Sequence, residues 1–146
     1  DALNAPPLEV IGRLLDHVEA SAEELAMRGC PLGSLSTELG KRSEDDLHPQ
    51  AAVLLTGLLE WLQVQFERSC TAVDAARHAE HVMTCLQGAA VVAQAARDPG
   101  DVMRQVDGVR QWLARDVFVN GRATGAAAVA RPASAGALAA RSKRRK

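Results

Sequence analysis

The chain has 146 residues, of which 47% are hydrophobic, 24% are charged and 3% are aromatic. This length suffices for one hydrophobic core of ordinary size and is too short for a multidomain enzyme. Charged residues interrupt the apolar stretches, so no run of about eighteen uncharged apolar residues is available to span a membrane. The three cysteines lack CxxC spacing, and the first residues lack the pattern of a secretion signal. We therefore expect a single-domain cytoplasmic protein.

The net charge of −1 hides a separation of charge along the chain. Residues 1–121 contain ten Lys and Arg and all eighteen Asp and Glu, a net charge of −8. Residues 122–146 contain seven Lys and Arg and no acidic residue. Because phosphate backbones are bound mainly through Lys and Arg, the acidic body is a poor candidate for binding nucleic acid. The basic tail is expected to add at most weak, nonspecific contact with DNA.

Apolar residues recur at helical spacing in the first half of the chain. They predict one amphipathic helix over residues 6–28, which Gly29 would end. A short second helix is predicted over residues 31–40, beginning at a proline. After a polar connection, a third helix is predicted from about Pro49, with an apolar stripe so wide that much of this helix should be buried.

Two further helices, rich in small residues, are predicted in the second half. Thr71 and Asp74 have the spacing of a capping box, which predicts the start of a helix over residues 73–97. Asp98 is predicted to be the N-cap of the last helix, with Pro99 as its first residue. No convincing strand is present, because the short β-branched and aromatic run at 117–119 has no partner run.

The sequence thus predicts an all-α fold, an orthogonal bundle of about five helices. Residues 1–119 would form the domain. Residues 120–146 would form a low-complexity basic tail, whose Gly, Ala, Pro, Ser and Arg cannot bury enough apolar surface to offset the entropy of ordering. The tail is therefore expected to be disordered.

Two segments, one after the other along the chain, resemble segments of a known protein family. Residues 28–35 read RGCPLGSL, and residues 86–93 read LQGAAVVA, followed by RDP at 97–99. Together they resemble the C-terminal domain of TetR-family transcriptional regulators over about residues 6–116. The resemblance implies a domain that binds a small, usually apolar ligand and pairs its last two long helices with those of a second subunit in a four-helix bundle. It also implies a separate N-terminal helix-turn-helix head that binds DNA, which the five residues before Pro6 are too few to contain.

The last two helices each have an apolar stripe that is a candidate dimer interface. A two-fold axis presents the same patch twice, and small side chains let helices approach closely. The alternative is that both stripes pack on the core of their own domain. The candidate residues are Ala79, Val82, Leu86, Ala89, Ala90, Ala93, Val102, Val106, Val109 and Leu113.

A second set of residues is the candidate ligand site. A ligand cavity needs apolar walls, an adaptable thioether and a few polar groups that fix orientation. The alternative is ordinary core packing at helical spacing. The candidate residues are His17, Leu54, Leu58, Trp61, Leu62, Met83 and Gln87.

Metal binding and catalysis have weaker candidates. His78, His81 and Cys85 share one helix face and could present three metal ligands, but no spacing supplies a fourth, so no metal is predicted. Cys30 with His17 or His48 is the one nucleophile and base combination, and nothing places a base within reach of the thiol. We therefore expect neither an enzyme nor a cofactor.

The predicted function is that of an effector-binding and dimerisation domain of a TetR-like repressor. A small apolar ligand would alter DNA binding by a separate head. The alternative is a dimeric, all-helical interaction or scaffold module without a small-molecule ligand. An enclosed apolar cavity would favour the ligand sensor, and a solidly packed interior would favour the scaffold.

Overall fold

The computed structural model describes residues 5–41 and 47–119, and every regular element in these residues is helical. This confirms the predicted all-α fold. The predicted basic tail, residues 120–146, lies outside the described residues. The helices are α1 (Pro7–Ala20), α2 (Ala22–Arg28), α3 (Pro31–Gly40), α4 (Leu47–Glu67), α5 (Ala72–Ala96) and α6 (Gly100–Trp112), and α6 runs into a single π-helical turn, Leu113–Val117.

The single helix predicted over residues 6–28 is divided at Ser21. The Ser21 N–H donates to the carbonyls of His17 and Val18, 3.1 Å from each, and its Oγ donates to the His17 carbonyl at 2.9 Å. A serine hydroxyl that bonds back to the preceding turn competes with the helical ladder. The prediction of one continuous helix was therefore wrong at this residue, because apolar spacing continues across the break.

The predicted helix ends are mostly confirmed. Gly29 follows α2 with φ of +76° and ψ of −178°, a conformation essentially restricted to glycine. Thr71 Oγ1 accepts a hydrogen bond of 3.2 Å from the N–H of Asp74 at the start of α5. At α6 the prediction was off by one residue, since Pro99 is the N-cap and Gly100 the first helical residue; Asp98 Oδ1 still accepts a 2.9 Å hydrogen bond from the N–H of Gly100.

Helix α4 begins at Leu47, two residues before the predicted start, and buries one side only. Leu62 and Phe66 have no solvent exposure. The other side leaves large apolar residues exposed, namely Val53, Leu54, Trp61 and Val64. The expectation that its wide apolar stripe is buried is therefore met on one side of α4 and not on the other.

Helix α5 is the centre of the bundle. It packs against α2, α4 and α6, while α3 packs on α4 and α1 packs on α6. At the end of the described chain, the Phe118 ring stacks on Phe66 with centroids 5.8 Å apart. The largest fully buried side chains are Phe66, Ile11, Leu15, Leu62, Leu113, Val82, Val102, Val106 and Val117.

An ion-pair cluster joins the first and last helices. Arg110 Nη2 on α6 lies 2.7 Å from Asp16 Oδ1 and 2.8 Å from Glu19 Oε2, both on α1. These bonds raise the pKa of the Arg110 guanidinium, with the Asp16 hydrogen bond the largest cause. The cluster therefore fixes α1 against α6 by direct charged contacts. Among the described helices, none combines the length and the apolar character needed to cross a membrane.

Candidate functional site

Two surface grooves lie on either side of one face of α5. The first, about 590 Å³ between α4 and α5, is lined by Leu55, Thr56, Leu59, Met83, Thr84, Gln87, Gly88, Val91 and Val92. The second, about 350 Å³ between α5 and α6, is lined by Thr84, Cys85, Gly88, Ala89, Val92, Asp101, Arg104 and Gln105. Thr84, Gly88 and Val92 line both grooves, so the exposed ridge of α5 separates them.

The two grooves differ in chemistry. The first, which we call the α4–α5 groove, has no charged side chain in its lining, and its polar groups are two Thr hydroxyls and one Gln amide. The second contains Asp101 and Arg104, which form an ion pair on α6. The α4–α5 groove is therefore the one suited to a neutral, apolar occupant.

The structure brings together two of the seven predicted ligand residues. Met83 and Gln87 line the α4–α5 groove, whereas Leu62 is fully buried in the core. His17 on α1 is exposed and does not line the groove. The predicted residues on α4, namely Leu54, Leu58 and Trp61, are also outside it.

The α4 wall of this groove is formed instead by Leu55, Thr56 and Leu59. The predicted and observed walls are offset by about one residue, which turns the helix through about 100°. Because α4 is apolar on several sides, periodicity alone does not specify which side faces α5. The side of α4 that forms the wall is therefore determined by its packing on α5 and cannot be predicted from apolar spacing.

The ten residues predicted for a dimer interface lie inside the single chain. Their exposed fractions range from 0% to 7%. The burial of Ala79, Val82, Leu86, Ala89, Ala90, Ala93, Val102, Val106, Val109 and Leu113 matches the alternative that both stripes pack on their own core. In this conformation a second copy would have to contact a different face of these helices.

That different face is present on α5. We define the outer face of α5 as Thr84, Gly88, Val91, Val92 and Ala95, all of which are exposed. No residue from 82 to 96 is charged, although one side of this stretch faces solvent. This uncharged run was a signal in the sequence that distinguishes the outer face from an ordinary solvated helix surface.

The two segments that resemble the TetR family contact each other. Gln87 Nε2 on α5 lies 3.4 Å from Cys30 Sγ at the start of α3, and donates a hydrogen bond to it. A Cβ built on Gly33 would lie 2.7 Å from Gln87 Oε1. The glycine in this corner therefore leaves room for an amide of α5. The Cys30 thiol faces that amide, and the side chain of His48 lies outside the described residues.

The histidines considered as metal ligands pack on aromatic rings. The His78 ring lies 5.4 Å from Phe66 and 5.3 Å from Trp112, and the His81 ring lies 4.4 Å from Trp112. Cys85 Sγ is 3.8 Å from His81 Nε2. Among the described residues, no three His, Cys, Asp or Glu side chains are grouped so that they could hold a metal ion.

Burial shifts the pKa of two groups here, His78 and Cys85. It lowers the pKa of His78, with a further lowering from the charge of Arg77. Burial also raises the pKa of the Cys85 thiol. Both shifts favour the neutral form, which suits a packing role between apolar rings.

Comparison with known proteins does not identify a family for this chain. No family model matches the chain, and no curated protein matches it. The resemblance to TetR-family regulators therefore rests on the two segments described above.

Proposed function

We propose that this chain is the dimerisation and effector-binding domain of a TetR-like transcriptional regulator. The observation that carries the proposal is the outer face of α5, which is exposed and uncharged over about three turns. We infer that a second copy of the chain binds to this face. The contacts between the two resembling segments support the family assignment.

The outer face of α5 has the composition of an interface. Val91 is 66% exposed and Val92 is 53% exposed, and both lie beside Gly88 and Ala95 on the same side of the helix. Single exposed apolar residues are ordinary, but a contiguous apolar patch bordered by charges typically marks a contact with another molecule. Burial of this patch against a second helix would remove both valines from water.

The glycine at position 88 also favours the close approach of another helix to the outer face of α5. A glycine inside a helix costs about 0.5–1 kcal/mol relative to alanine. Among the described residues, a Cβ at Gly88 would meet nothing within 4 Å, so none of these neighbours requires the glycine. The residue lines both grooves and lies near the middle of the uncharged run. A partner backbone that crosses at this point would account for it.

The uncharged centre of the outer face can pack on its own copy. In an antiparallel pair that crosses at Gly88 in both copies, residues equidistant from Gly88 face one another. Thr84 of one copy then lies opposite Val92 of the other, and no charged side chain is placed at this centre. Such packing buries both outer faces without leaving a charge unpaired, which favours a second copy as the occupant.

The regulatory part of the proposal follows from the family resemblance. A DNA-binding head would be attached before α1, and α1 is held to α6 by the pairs of Arg110 with Asp16 and Glu19. A ligand changes the position of α1 only if it binds two arrangements of the bundle with different affinities. A ligand that binds both arrangements with equal affinity would leave the position of α1 unchanged, however tightly it binds.

One observation favours the rival function, a dimeric interaction module without a ligand. The α4–α5 groove is open along the protein surface, and only two of the predicted ligand residues line it. Both functions share the dimer, and they differ in whether this groove binds a small molecule.

Sedimentation equilibrium of the 146-residue chain at micromolar concentration tests the proposal. We expect a dimer for the wild type and a monomer for Gly88→Glu, because two like charges would meet at the crossing point. Gly12→Glu is the matched control, since a Cβ at Gly12 in α1 also meets nothing within 4 Å. The control is expected to remain dimeric. A well-folded wild-type monomer over the whole concentration range would remove the proposal.

A further inference from the structure

We propose that the basic tail, residues 120–146, binds back on an exposed stripe of α4 in the same chain, with Arg131 paired to Glu60. We define the α4 stripe as Val53, Gly57, Glu60, Trp61 and Val64, all of which are exposed. None of these residues lines the α4–α5 groove or belongs to the outer face of α5. The inference is therefore independent of the proposed dimer.

The α4 stripe is largely apolar, and the described residues leave it uncovered. Val53 and Val64 are exposed, and Trp61, the largest side chain of the stripe, is 37% exposed. Residues 53, 57, 61 and 64 recur at i, i+4, i+8 and i+11, so they lie on one side of the helix. A contiguous apolar patch of this kind typically marks contact with another segment or molecule.

Four residues of the stripe have the spacing of a hole that receives a side chain. Gly57, Glu60, Trp61 and Val64 lie at i, i+3, i+4 and i+7, the arrangement into which a knob inserts when helical segments pack. Among the described residues, a Cβ at Gly57 would meet nothing within 4 Å, so the space above this glycine is open. Glu60 borders that space and has no ion pair or hydrogen bond with another described side chain. The hole therefore has one negative and otherwise uncharged sides.

An arginine is the side chain that this hole suits. Its methylene stem can lie over Gly57 and Val64 while its guanidinium binds the Glu60 carboxylate. The indole of Trp61 adds a ring on which a cation is attracted. A second copy of the stripe is a poorer occupant, because an antiparallel crossing at Gly57 places each Glu60 beside Leu54 of the other copy, without a positive partner.

The tail supplies an arginine next to apolar residues. Residues 126–130 read AAAVA, and Arg131 follows them. Residues 122–146 contain seven Lys and Arg and no acidic residue, whereas residues 1–121 contain ten Lys and Arg and eighteen Asp and Glu. The tail and the body therefore attract each other. A segment whose composition cannot form a core of its own can still bind apolar surface that a folded domain supplies.

The described chain ends within reach of the stripe. Phe118 stacks on Phe66 of α4, with ring centroids 5.8 Å apart. Trp61 precedes Phe66 by five residues, about 8 Å along the helix axis, and the helix is about 10 Å across. The thirteen residues from Phe118 to Arg131 span up to about 40 Å when extended. The tail is therefore long enough to cover the α4 stripe of its own chain.

Cleavage of the tail by pancreatic elastase, which cuts after small residues, tests the proposal in the full 146-residue chain. The rate of cutting within residues 126–130, followed by mass spectrometry, reports how often the tail is released. We expect Glu60→Lys to raise this rate at least about fivefold, because attraction to Arg131 becomes repulsion. Glu23→Lys, at an exposed position of α2, makes the same change of net charge and is the matched control. Its rate should equal that of wild type.

A charge exchange tests the pairing of Arg131 with Glu60. Arg131→Glu alone should raise the cleavage rate, and combining it with Glu60→Lys should return the rate to the wild-type value. Failure of the double variant to slow cleavage would overturn this pairing.

Two other results would overturn docking on the α4 stripe. The first is an equal rate for Glu60→Lys and Glu23→Lys, whether raised or unchanged, which would leave the proposed dimer standing. The second is slow cleavage of wild type that is lost on dilution, because the tail would then reach another copy rather than its own chain.

Discussion

Gly29 at the end of α2 lies directly against the side chain of Gln94 on α5. A Cβ built on Gly29 would be 2.6 Å from Gln94 Oε1. Seven residues earlier on the same helix, Gln87 approaches Gly33 in the same way. Two amides of α5, two turns apart, thus pack into two glycines of the α2–α3 corner. The RGCPLGSL segment therefore packs on α5 at Gln87, within the LQGAAVVA segment, and at Gln94, the residue that follows it.

Replacing Gly29 with alanine should destabilise the fold for two physical reasons. The backbone at φ +76° and ψ −178° is strained for any residue with a Cβ, and the new methyl group would displace the Gln94 amide from its present position. We expect Gly29→Ala to lower the free energy of unfolding by about 1–3 kcal/mol, measured by urea denaturation.

Gly12→Ala is the control for this substitution. Gly12 lies inside α1, and a Cβ there would meet nothing within 4 Å. Alanine should therefore raise the free energy of unfolding by about 0.5–1 kcal/mol. A stabilising effect at both glycines would contradict the close approach of Gln94 to Gly29.

The sequence identifies the helices more reliably than the faces they present. Gly29 and Thr71 are local signals, since the backbone conformation and the capping hydrogen bond depend on a few neighbouring residues. Those ends were predictable. The side of α5 that faces the core depends on how α4 and α6 pack around it, which spacing does not encode when both sides are apolar. For this reason the predicted interface stripe is core, and the uncharged outer face is the exposed one.

Leu62 and Leu54 provide a direct test of the orientation of α4. Leu62 has no exposed surface, whereas Leu54, two turns earlier on the same helix, is 51% exposed. Leu62→Ala should cost about 2–5 kcal/mol of unfolding free energy through lost burial and the cavity left behind. Leu54→Ala should cost about 1 kcal/mol or less, since little apolar surface leaves the core. Similar losses at the two leucines would mean that α4 is rotated from the orientation described.

The start of α5 should depend on its capping side chain. Thr71 Oγ1 accepts from the Asp74 N–H and donates to Asp74 Oδ2 at 2.8 Å. Thr71→Ala should therefore lower the free energy of unfolding by about 1 kcal/mol. Thr37→Ala is the matched control, because the Thr37 hydroxyl in α3 bonds back to the Gly33 carbonyl and caps no helix start. If thermal denaturation shows equal losses for both variants, the cap makes no specific contribution.

Stability should decrease on acidification because of His78. Its ring lies between Phe66 and Trp112, and burial followed by the charge of Arg77 lowers its pKa, opposed by the charge of Asp74. His81 on the next turn lowers it further. The unfolded chain therefore binds a proton at His78 more readily than the folded chain. As pH falls through about 6.5, the unfolded state is favoured, and the loss ends once the pH is below the folded-state pKa.

His78→Gln removes this titration and should flatten the decline in unfolding free energy between about pH 7.5 and about pH 5. Urea denaturation at a series of pH values measures it, and the difference between wild type and variant cancels the contribution of carboxylates common to both. His17→Gln is the control, because His17 is exposed on α1, far from this aromatic cluster along the chain. A pH profile that is the same for wild type and His78→Gln would show that His78 is equally easy to protonate in both states. The aromatic cluster would then have to be more open to water than the packing of His78 between Phe66 and Trp112 allows.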